Sequence, residues 1–143
     1  MATDTTLVEA ATDVVALAEA LNRCCDTLEV PDGLFTDDAF FDLYPPLWRF
    51  QIQGPQAFET QLRAIAGDAE VHARIRRVVP TADGFILEHD EEARHGDDVE
   101  VARRLWLCDV RDGRIAEITC YCNGGWDDEL RTRHAAETTL LRP

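Results

Sequence analysis

Residues 105–122 read Leu105-Trp-Leu-Cys-Asp-Val-Arg-Asp-Gly-Arg-Ile-Ala-Glu-Ile-Thr-Cys-Tyr-Cys122, and this stretch decides the fold. Apolar and polar residues alternate on both sides of Asp112-Gly113, a dipeptide suited to a tight hairpin turn. The stretch therefore predicts two antiparallel strands, Val99–Val110 and Arg114–Cys122. Working backwards, His95-Gly96-Asp97-Asp98 closes a strand over Phe85–Arg94. Pro80 and Asp83-Gly84 close another over Val71–Val79. Four strands joined by short turns predict an antiparallel meander.

The N-terminal half has a different rhythm. Leu7, Ala11, Val14, Val15, Ala18 and Leu21 recur at helical spacing, predicting an amphipathic helix over residues 6–25 with Asp4 or Thr5 as cap and Glu9 in its first turns. Pro31-Asp32-Gly33 is a turn. Leu34–Leu43 predicts a first short strand and Trp48–Ile52 a second, separated by Tyr44-Pro45-Pro46. Gly54-Pro55 opens a helix to about Ala66, with Phe58, Leu62 and Ile65 on one side. Residues 126–143 read as a C-terminal helix or tail. Helices packed against an antiparallel sheet define an α+β domain, and 143 residues fit one domain, 1–143.

Bulk chemistry narrows the function. The chain carries 14 basic and 28 acidic residues, a net charge of −14. Such a surface repels phosphate backbones and anionic lipid, so neither nucleic acid nor membrane is an expected partner. Every basic residue is arginine, which excludes a lysine Schiff base and a P-loop lysine. The first residues lack the basic start and apolar run of an export signal, giving a cytoplasmic expectation. Cys24, Cys25, Cys108, Cys120 and Cys122 are odd in number and contain no C-x-x-C, so neither a disulfide framework nor a metal site is expected.

The element order, the final hairpin with its Gly113-Arg114-Ile115, and Gly54-x-x-Ala57-Phe58 resemble the NTF2-like superfamily, which includes ketosteroid isomerase and the SnoaL-like cyclases. Trp48–Gln51 and Gly125–Glu137 resemble an uncharacterised bacterial group within it. The resemblance implies a cone-shaped, curved antiparallel sheet with helices on its concave face, a small-molecule pocket, no cofactor and a homodimer. It also implies that Ala116, Ile118, Cys120 and Cys122 face the pocket, while Ile115, Glu117, Thr119 and Tyr121 lie opposite. Arg104, Trp106 and Cys108 form the matching set on the preceding strand.

Candidate residues follow from that frame. Asp42 stands where ketosteroid isomerase-like proteins carry a general base, against Phe40, Phe41 and Trp48; the alternative is a solvated loop acid. His89 shares a face with Phe85 and Leu87, opposite Glu88, Asp90 and Glu92, and is a possible acid–base partner for Asp42; the alternative is a dimer-contact histidine. Arg104 could hold developing negative charge or pair with an acidic neighbour across strands. Tyr44, Trp48, Trp106, Cys108, Ile118, Cys120 and Cys122 are the expected ligand-binding wall. Trp106 and Val14 or Val15 fall where the isomerase has its second acid and its tyrosine, so steroid isomerisation is disfavoured. The expectation is a cofactor-free lyase, isomerase or cyclase, with a non-catalytic binding or accessory dimeric protein as the alternative.

Overall fold

The computed structural model of the protein describes residues 3–142, with side chains from residue 13 onward. Helix α1 spans Thr3–Thr27 and α2 spans Pro55–Ala66; α3 spans Asp128–Glu137. The strands are β1 (Phe35–Tyr44), β2 (Phe50–Gln53), β3 (Glu70–Pro80), β4 (Gly84–His95), β5 (Asp98–Arg111) and β6 (Arg114–Cys122). Since α1 reaches back to Thr3, Asp4 and Thr5 stand within it rather than ahead of it. Their side chains, and those of Leu7, Glu9 and Ala11, lie outside the described residues.

The six strands form one open sheet in the order β2-β1-β6-β5-β4-β3. β3 to β6 are an antiparallel meander. The sheet as a whole is mixed, because β1 runs parallel to β6, with Phe41 opposite Ile118 and Leu43 opposite Cys120. A parallel pair needs a long crossover, and everything between β1 and β6 in the chain supplies it. At the deciding hairpin Asp112 and Gly113 have φ of 53° and 75°, as a two-residue turn between right-twisted strands requires.

Helices α1 and α2 cover one face. Ala18, Leu21, Cys24 and Cys25 of α1 and Phe58, Leu62 and Ala66 of α2 are buried. Ile65, expected on the buried side of α2, is 56% exposed. The core centres on aromatic rings: Phe41 stacks on Phe58 at 4.4 Å, and Phe58 meets Trp106 edge-on at 5.9 Å. Burying such rings contributes about 2 kcal/mol each or more. Ile115 is also fully buried, contrary to its expected outward place. Register shifts in both neighbouring pairings, between Phe35 and Phe40 and between Asp109 and Val110, break the alternation there.

The free edge of β3 is covered from α1. Asn22 Nδ2 donates to the Ala73 carbonyl at 3.1 Å, and Asp26 accepts from the Ala73 N–H at 2.9 Å. Asn and Asp one helical turn apart thus satisfy both backbone groups of one edge residue. α3 buries no side chain; Trp126 ties the segment before it to β5 through two backbone bonds with Val101, 2.8 and 3.0 Å.

Candidate functional site

Strand alternation sets which acids can meet a ligand. Phe41 and Leu43 are buried beneath α2, so Asp42 between them projects from the opposite face. There Arg49 grips it with two hydrogen bonds of 2.9 and 2.8 Å, and the Tyr44 hydroxyl donates at 3.3 Å. Arg49 also stands 5.1 Å over the Tyr44 ring, which stacks on Tyr121. The Arg49 fork holds the Asp42 carboxyl below the ordinary carboxylate range. The expectation of a desolvated base is therefore corrected: Asp42 is an ion-paired carboxylate on the outer face. Trp48 is 72% exposed and stands outside the strand expected to begin with it, because Leu47 has φ 61° and Trp48 N–H turns back to the Pro45 carbonyl.

His89 does point inward and is fully buried, yet both ring nitrogens are occupied. An indole N–H only donates, so Trp106 Nε1–H, 3.0 Å away, makes Nε2 the acceptor. Nδ1 then carries the proton and donates to Asn22 Oδ1 at 2.8 Å. Burial, reinforced by the Arg104 charge, pushes the imidazole down to about 3. His89 is a neutral link in a relay running from Trp106 through Asn22 to Ala73. No Asp42–His89 dyad forms, since the two side chains stand on opposite faces of the sheet.

The inner face instead brings Arg104 to Glu91, which the sequence reading left unassigned. Arg104 Nη1 approaches Glu91 Oε2 to 2.7 Å. The approach is a charge contact out of hydrogen-bond alignment, leaving Glu91 Oε2 and Arg104 Nε–H without hydrogen-bond partners. Glu91 is only 7% exposed. Burial pushes its carboxyl up, against the pull of Arg104. Burial is the largest single influence on Arg104 and opposes its charge, but Glu91 together with the sulfurs of Cys120, Cys25 and Cys122 outweighs it, and the guanidinium is held above its ordinary range. The signal for Glu91 was available: it lies two residues beyond His89 on the same strand face. The acidic run from Glu88 to Glu92 disguised it as solvated surface.

Two clefts meet at this pair. One, about 320 Å³, lies between β1, β6 and α2; Leu43, Phe50, Phe58, Trp106 and Cys120 give it mostly apolar walls. The other, about 190 Å³, includes Cys25, Glu91, Ala93 and Glu100. Leu62, Ile65, Arg104, Cys122 and Gly125 belong to both, so Arg104 stands at the junction. Of the expected wall, Tyr44, Trp106, Cys120 and Cys122 border the larger cleft, whereas Cys108 and Ile118 pack deeper in the core. Cys25, His89 and Glu91 have ligand-type atoms within 4.8 Å of one another. They do not compose a metal site here: the His89 lone pair is taken by Trp106, burial holds the Cys25 thiol well above its ordinary range, and a guanidinium occupies the carboxylate.

No family model and no curated protein sequence matches the chain. Solved structures do. An LEH-like epoxide hydrolase from Mycobacterium tuberculosis is 22% identical, over 78% of this chain and 84% of that one, with a TM-score of 0.60. An NTF2-like protein from Anabaena variabilis is 16% identical over 80% and 90%, with a TM-score of 0.64. A protein with a ketosteroid isomerase-like fold from Catenulispora acidiphila, in complex with trimethylamine, is 12% identical over 73% and 83%, with a TM-score of 0.60. The chain has the NTF2-like α+β cone fold. Among the described residues no helix is long and apolar enough to cross a membrane.

Proposed function

We propose that the chain binds a small, mostly apolar molecule in the larger cleft and acts on it by cofactor-free acid–base chemistry at Glu91 and Arg104. The observation that carries this reading is a buried carboxyl with a raised pKa, lining the smaller cleft, beside a partly buried guanidinium that also borders the larger, apolar one. A carboxyl whose pKa is moved toward neutrality exchanges a proton with substrate more readily. The unpartnered Arg104 Nε–H is suited to an oxygen that gains negative charge as the reaction proceeds. Trp106, Phe58 and Phe50 thin out competing water and strengthen both effects. Lyase, isomerase and cyclase reactions all need only these parts. The epoxide hydrolase of similar fold supports small-molecule chemistry by analogy.

The test is a panel of small epoxides, lactones and enones, followed by NMR for both binding and turnover. Glu91→Gln preserves shape and removes the proton-transfer group. Turnover should fall about 100-fold or more while ligand shifts persist. Equal turnover in this variant sinks the acid–base role. Saturable binding without turnover in the parent protein favours the alternative, a binding or accessory protein. That alternative draws on the commitment of Asp42 and His89 to other bonds, which leaves Glu91 as the buried acid bordering the clefts. The homodimer expectation belongs to the outer sheet face, where Leu107 and Tyr121 are 42% and 50% exposed.

A further inference from the structure

We propose that the Leu47–Trp48 turn is a lid for the larger cleft, folding onto a bound apolar molecule and shutting it off from water. Its occupant is the small apolar molecule that the proposed function assigns to this cleft, and on that reading the lid rests. Residues on both sides of the pair wall the cleft: Tyr44, Pro45 and Pro46 before it and Phe50 after it. Ile65 reaches the same cleft from α2 and is itself more than half-exposed. Leu47 is fully exposed and Trp48 largely so. A leucine, a tryptophan and an isoleucine standing in water beside one apolar cleft form a patch that gains by being covered.

The backbone is set for a second position. Pro45 to Trp48 is a β-turn, closed by the Trp48 N–H donating to the Pro45 carbonyl at 3.2 Å, with Leu47 third in it at φ 61°. That left-handed place suits glycine, and a leucine there is strained. Strained residues of this kind cluster at ligand clamps and switches. Two posts confine any movement to the pair. On one side the proline rings fix φ at Pro45 and Pro46, and Pro46 sits so close to Gly124 that a Cβ there would lie 2.9 Å from its Cγ. On the other side Arg49 is clamped to Asp42. Returning Leu47 to negative φ releases the strain and re-aims both side chains. A ligand filling the cleft supplies the surface on which they then pack.

The probe is camphor, a rigid neutral ketone, added to protein carrying fluorine-labelled tryptophan. Trp48, Trp106 and Trp126 give three fluorine resonances, assigned with Trp48→Phe and Trp126→Phe. Without camphor the Trp48 signal should show the large shift between water and heavy water of an exposed ring. At saturation it should lose most of that shift, while the Trp106 signal moves because Trp106 walls the cleft. Trp48→Ser should weaken camphor binding about tenfold, through faster release. Leu47→Gly should also speed release, and glycine suits the turn, so that loss is not one of folding. A moving Trp106 signal with an unchanged Trp48 signal overturns the lid and leaves the cleft reading standing. A Trp48 ring already shielded without camphor, or unaltered release in both variants, overturns the lid as well. If no signal moves up to the solubility limit of camphor, the cleft reading fails and the lid falls with it.

Discussion

Asp42 and Glu91 each meet an arginine within 2.8 Å, Asp42 through Arg49 on the outer face and Glu91 through Arg104 on the inner face. The partners are alike and the outcomes are opposite: the Asp42 carboxyl is held down and the Glu91 carboxyl is pushed up. Alignment and water account for the difference. Arg49 is half-exposed and delivers two aligned hydrogen bonds, so the ionised acid is fully served. Glu91 is stripped of water and receives an unaligned contact, so the Coulomb attraction does not repay desolvation. Proximity of opposite charges alone therefore identifies neither an inert pair nor a reactive one.

The inner face should reveal itself first through acid. His89 titrates at about 3 in the fold against an ordinary 6.5. Its depressed value means the unfolded chain binds the extra proton throughout that window. Stability is then full above about pH 6.5 and falls as pH drops toward 3, by roughly 5 kcal/mol if no other group intervened. Glu91 works in the other direction: its raised pKa makes its contribution greatest below the ordinary glutamate value and lost as pH rises through the folded one. Urea melts across this range should show a His89 slope that His89→Gln flattens. An unchanged slope in that variant would mean the imidazole titrates freely and the Trp106–His89–Asn22 relay is wrong.

The next effect in size separates the two arginines. Arg104→Met leaves Glu91 buried without its counter-charge and should cost about 3 kcal/mol at neutral pH. Adding Glu91→Met should recover most of that loss, because the penalty lies in the orphaned acid and not in the lost attraction. If the double variant is as unstable as the single, Arg104 supports the fold by packing its long stem, and the charge argument fails.

Much of this architecture was legible in the sequence. The hairpin at Asp112-Gly113 and the Gly54-Pro55 helix start follow from turn chemistry; period-two alternation groups Arg104 with Trp106, and the family resemblance is what implies that this set and Cys120 face inward. Failures came where local rules meet tertiary ones. Asp42 is flanked by aromatics in sequence, but burial of Phe41 and Leu43 turns it to the outer face, where Arg49 ion-pairs it and Tyr44 hydrogen-bonds it. For His89 the alternation leaves an inward place and a dimer-contact place both open, and its neutrality depends on Asn22, 67 residues away, and on a tryptophan that can only donate. The β1–β6 pairing is parallel because a partner's direction is set by the path between strands, which no local pattern contains.

The smallest predicted effect is on the outer face, and it gives the comparison its sharpest test. Arg49→Met removes both aligned bonds to Asp42, yet the freed carboxylate turns to water at once. No resolvable change in the denaturation midpoint is expected, since exposed ion pairs exchange one good partner for another. The Asp42 carboxyl should instead move back up toward its ordinary value, which carbon-detected NMR titration reads directly. Because its folded pKa is the depressed one, whatever stability Asp42 lends is present above the unfolded value and lost below it, so the variant should differ from the parent only at strongly acid pH. A loss in Arg49→Met as large as that in Arg104→Met would show that the outer pair braces the β1–β2 edge, and exposure would then no longer separate the two arginines.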